Sequence, residues 1–68
     1  MQRLDWDPQL GRLEIRFPYD EELVKLVRGF PGRRWHAGER FWSVPGQHCA
    51  EAARTLIDAG FDASEGVL

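Results

Sequence analysis

Arg12-Leu13-Glu14-Ile15-Arg16-Phe17 alternates charged and apolar side chains without a break, which is the period of a β-strand with one wet face. Upstream, Arg3-Leu4-Asp5-Trp6-Asp7 alternates in the same way. Pro8-Gln9-Leu10-Gly11 between them supplies turn residues, so the two runs are expected to pair as an antiparallel hairpin. Leu4, Trp6, Leu13, Ile15 and Phe17 then share the inward face.

Beyond this hairpin, Pro18-Tyr19 ends the strand, and Asp20-Glu21-Glu22 places acids where the exposed amides of a helix N-terminus attract them. A helix is expected to about Phe30, with Leu23, Val24, Leu26, Val27 and Phe30 on its apolar stripe and Glu21, Glu22, Lys25 and Arg28 toward water. Pro31-Gly32 stops it. Arg33-Arg34-Trp35-His36 and Arg40-Phe41-Trp42-Ser43-Val44 flank Ala37-Gly38-Glu39 and read as a second hairpin, with Gly38 free to take the positive φ of a tight turn. Parity puts Trp35, Trp42 and Val44 on one face and Arg34, His36, Phe41 and Ser43 on the other, and a one-residue bulge would invert part of this assignment. Pro45-Gly46 opens a last helix carrying Cys49, Ala52, Ala53, Leu56 and Ile57 at helical spacing, and Gly60-Phe61 caps it.

The expected fold is therefore α+β, in the order ββαββα. It is a four-stranded antiparallel sheet with two helices packed on one face, and the other face is left to solvent or a partner. Residues 1–61 would form the single domain and residues 62–68 a frayed C-terminal tail.

Composition narrows the function. A chain of 68 residues encloses one modest core, worth roughly 3–5 kcal/mol, so a deep active site would compete with packing for the same large side chains. The single cysteine, Cys49, allows no intramolecular disulfide and suits a reducing cytoplasm. No apolar run approaches the ~20 residues that span a bilayer, and the N-terminal stretch lacks a signal-peptide core, so no membrane association is expected. His36, His48 and Cys49 are the only imidazole and thiol groups. His48 and Cys49 are adjacent on the last helix and diverge, which disfavours both a metal site and a Cys–His nucleophile. The seven glycines sit at turns and caps with no phosphate-loop spacing. No cofactor and no catalytic residues are expected.

Charge is unevenly spread. Residues 1–24 hold three bases and six acids, residues 43–68 one and four, and residues 25–42 five bases against Glu39 alone. The central segment is thus +4 between two flanks of −3 each. It interleaves Lys25, Arg28, Arg33, Arg34 and Arg40 with Phe30, Trp35, Phe41 and Trp42, a mixture that suits phosphates and unstacked bases. Strand parity sends Trp35 and Trp42 toward the helices as core residues. Phe41, on the opposite parity beside His36, is the better candidate for an exposed stacking platform, the alternative being an edge residue covered by a loop. On that reading Trp42→Ala unfolds the domain and Phe41→Ala leaves it folded.

Phe17-Pro18-Tyr19, Phe30-Pro31-Gly32-Arg33-Arg34-Trp35 and Arg40-Phe41-Trp42-Ser43-Val44-Pro45, taken in this order, resemble the HARP domain of annealing helicases over roughly residues 12–60. That family has an aromatic–Pro segment before a helix, a Pro-Gly-Arg turn, an aromatic, and a Trp-Ser-apolar-Pro strand followed by a helix. His36-Ala37-Gly38 stands where the family commonly has an Asp. The resemblance implies a DNA-binding accessory domain attached to a helicase-like motor. From the charge pattern, the expected partner is single-stranded or forked DNA, bound weakly in isolation with a helicase or nuclease motor as host, and the expected site comprises Arg33, Arg34, Arg40, Lys25, Arg28, Phe41 and His36. The alternative is a protein-interaction module or small regulatory inhibitor that uses the open sheet face.

Overall fold

The alternation of residues 12–17 becomes the middle strand of a sheet in the computed structural model, which describes residues 2–64 and residue 67. The elements are β1 (Arg3–Asp7), β2 (Arg12–Arg16), α1 (Glu21–Arg28), β3 (Arg34–His36), β4 (Phe41–Pro45), a 3-10 turn at Gly46–His48, α2 (Cys49–Asp58) and β5 (Asp62–Ala63). Strand order across the sheet is β3-β4-β2-β1-β5. The two expected hairpins are both present, and β2 joins them by pairing with β4 in antiparallel register.

The sheet has five strands and is mixed, where four antiparallel strands were expected. The difference arises at Gly60, whose φ of +100° is a conformation natural to glycine. Gly60 N donates to Ile57 O at 3.0 Å and Phe61 N to Leu56 O at 3.0 Å, the paired bonds of a Schellman cap. That reversal drops Phe61 into the core and lays Asp62–Ala63 parallel to β1, with Asp62 N bonded to Gln2 O and Ser64 N to Leu4 O. Residues 62–64, expected to fray, are thus hydrogen-bonded at the sheet edge. Of the rest of the expected tail, residues 65, 66 and 68 lie outside the described residues, as does residue 1.

Register follows the hydrophobic pattern. Leu4 opposes Ile15, Trp6 opposes Leu13, Leu13 opposes Val44 and Ile15 opposes Trp42, so these side chains form one apolar face. Leu4, Leu13, Ile15 and Val44 are buried there against Val27 and Phe30 from the α1 side, Ala52, Ala53 and Leu56 of α2, and Phe61. One cluster takes contributions from both helices, which places both on the same side of the sheet. The two alanines let α2 approach β2, β4 and β5 closely. Ile57, expected inward, lies at the margin of that stripe and is 37% exposed.

Asp20 starts α1, accepting from the amides of Glu22 at 3.0 Å and Leu23 at 3.3 Å. The helix stops at Arg28, two residues before the expected end. Gly29 N turns to Leu26 O and Phe30 N to Val27 O, tightening the last turn so that Phe30 points into the core. Asp20→Ala should cost about 1 kcal/mol, read as a fall in Tm of about 4–8 °C for a domain of this size. A melt unchanged by the substitution would mean that the cap contributes nothing to the fold.

Candidate functional site

The two faces of the sheet treat their cations differently. On the face away from the helices, Arg3 Nε lies 3.1 Å from Asp5 Oδ2, and Arg12 Nε lies 3.1 Å from Glu14 Oε2. Arg16 Nη1 bridges Asp5 and Glu14 at 3.3 Å each. These three arginines share the carboxylates of Asp5 on β1 and Glu14 on β2, which leaves each of them ion-paired. The planar heads of Arg12 and Arg16 also cover Phe41, their guanidinium carbons standing 5.1 and 4.6 Å from the ring centroid. His36 stacks on the same ring at 4.5 Å and hydrogen-bonds Ser43 Oγ through Nε2 at 2.8 Å. Phe41 is left 1% exposed. The parity expected for it is correct, but the consequence is reversed, because long charged side chains close over it as a second small core. It has no surface free for stacking on a base.

The helix-side face opens at its other end. β3 is an edge strand, and the helices cover the middle of the sheet, so Trp35 is 47% exposed and Trp42 half-buried although both point inward. Their rings meet at 5.2 Å with a 50° tilt. With Phe17-Pro18-Tyr19 and Val24 of α1 they surround a groove of about 740 Å3 whose base is the buried Ile15. That volume lies within the range of small-ligand pockets. Tyr19 is 84% exposed. Arg28 and Arg40, both exposed, complete the lining, which contains no carboxylate.

The expected site residues therefore divide between two places. Arg28 and Arg40 line the groove, and Lys25 lies one helical turn before Arg28. Arg33 precedes β3, two residues from Trp35. Arg34, His36 and Phe41 belong to the opposite face, as their pairing with Ser43 and with each other requires. Among the described residues, none of Lys25, Arg28, Arg33, Arg34 or Arg40 forms an ion pair. Trp35, expected in the core, belongs to the groove, as does Tyr19, expected as a strand terminator and part of the aromatic–Pro motif but not as a site residue. The available signal was position: an aromatic in the linker before a helix has no apolar stripe to join.

No group of three or more His, Cys, Asp or Glu that could hold a metal ion occurs among the described residues. No helix among them is long and apolar enough to cross a membrane. No family model, curated protein or solved structure matches the chain.

Proposed function

We propose that the chain is a non-catalytic DNA-binding module of or for a helicase-like enzyme, taking unpaired bases and their phosphates in the groove between α1 and the β3–β4 hairpin. The supporting observation is that this groove joins exposed aromatic surface, Trp35 and Tyr19, to the cations Arg28 and Arg40 with no acid in its lining. Aromatic faces stack on any base, while a duplex hides its base faces except at its ends, so this chemistry favours single strands. Guanidinium groups without carboxylate partners remain open to phosphate. The lining also lacks Ser, His and Cys, so it offers no nucleophile with a paired base. The HARP-like motifs are the reason for naming DNA and a helicase-like host.

Affinity should be micromolar or weaker, because Arg28 and Arg40 in the lining, with Lys25 one helical turn away, give at most about three phosphate contacts and the acidic flanks repel the rest of the strand. Tethering to a motor would raise the effective concentration. Anisotropy titrations of labelled oligothymidylate and of a hairpin duplex, at low and physiological salt, test this. The expected outcome is preferential single-strand binding, with a log–log salt slope of about −2, from ~0.7 per contact. No binding at low salt, or a preference for duplex, would overturn the assignment and favour a protein partner in the groove.

A further inference from the structure

The geometry points to Arg40 as the residue whose placement strengthens DNA binding at the expense of the fold, an inference that rests on the groove being the DNA site. Residues 37–40 link β3 to β4, and Arg40 N donates to His36 O at 2.7 Å to close the loop. Arg40 has a φ of +61° and is the one non-glycine residue with positive φ among the described residues. A side chain there crowds its own carbonyl, and glycine is the residue that fits. Gly38, two positions earlier, was expected to supply that conformation and does not have it. Nor does space demand glycine at 38, since an added Cβ would meet nothing within 4 Å.

The loop thus has its glycine where neither backbone nor space requires one, and an arginine where stability favours glycine. What Arg40 gains at that position is the groove: it lines the cavity shared with Trp35, Trp42 and Tyr19, and no acid among the described residues neutralises it. A strained position whose side chain faces a candidate ligand site is the pattern expected of a functional contact. We infer that Arg40 is a phosphate contact whose left-handed backbone aims the guanidinium at a strand lying across Trp35.

Exchanging the two residues, Gly38→Arg with Arg40→Gly, keeps composition and net charge and moves only the cation. The exchanged protein should melt several degrees higher than wild type and bind oligothymidylate about five- to tenfold more weakly, the loss of one exposed charge-assisted contact. Arg40→Gly should also melt about 4–8 °C above Arg40→Ala, since both lack the charge and only alanine keeps the strain. Unchanged binding by the exchanged protein, with wild type binding in the same titration, would overturn the contact. Equal melting of the Gly and Ala variants would overturn the strain. Failure of wild type itself to bind would instead remove the groove assignment, and this inference with it.

Discussion

Phe41→Ala is expected to unfold the domain at or near room temperature. The ring is 1% exposed although it points away from both helices. Truncating a buried Phe costs about 3–5 kcal/mol, which is comparable to the whole stability roughly available to a core of this size. The cavity would also remove the surface that Arg12 and Arg16 cover at 5.1 and 4.6 Å, releasing two cation–π contacts of about 0.5–1 kcal/mol each near the surface. His36 would lose its stacking partner, and the hydrogen bond that satisfies the buried Ser43 would lose its support. Phe41→Leu keeps most of the volume and should remain folded with a lowered Tm. Urea and thermal melts of the two variants decide the matter. An alanine variant melting within a few degrees of wild type would show that the Arg12–Arg16–His36 cover collapses onto the gap and that this second core contributes little.

The reversal at Phe41 marks where the sequence was legible. Period-two alternation identified both hairpins, and parity assigned the residues of those four strands to the correct faces, because a one-residue slip would have exposed Leu13, Ile15 and Val44 together. The Asp20 cap and the Gly60-Phe61 cap were readable for the same reason: each is a local hydrogen-bonding problem with a local solution. Burial was not readable from parity alone. Whether a strand residue is covered depends on what reaches across to it, and Arg12 and Arg16 lie 29 and 25 residues upstream of Phe41 in sequence. The fifth strand was missed because two residues, Asp62 and Ala63, are too few to show a period. The candidate site was legible as a charge segment but not as a surface. Alternation along β3 splits the consecutive residues Arg34, Trp35 and His36 between two faces, and only the register shows which cations stay with the aromatics.

The same split yields the largest expected effect on function. Trp35→Ala should weaken oligothymidylate binding by roughly 5- to 150-fold, the loss of one stacked base at about 1–3 kcal/mol. The fold should tolerate it: Trp35 is 47% exposed on an edge strand, and its main aromatic partner, Trp42, contributes a pair term of only about 0.5–1.5 kcal/mol. A stability loss alone could mimic weaker binding, so the decisive comparison is between two arginines of equal charge on opposite faces. Arg28 lines the groove with Trp35, whereas Arg34 pairs with Ser43 on the other side of the sheet. Arg28→Glu should therefore abolish measurable binding at physiological salt and flatten the salt slope by about 0.7 or more. Arg34→Glu makes the same change in net charge and should reduce affinity only through the weaker long-range field, which salt screens beyond about 8 Å. Neither reversal should shift the melt much, since both side chains are exposed. If Arg34→Glu weakens binding as severely as Arg28→Glu, the strand lies on the open sheet face over the Arg12–Phe41–Arg16 stack, and the groove beside Trp35 is not where the bases go.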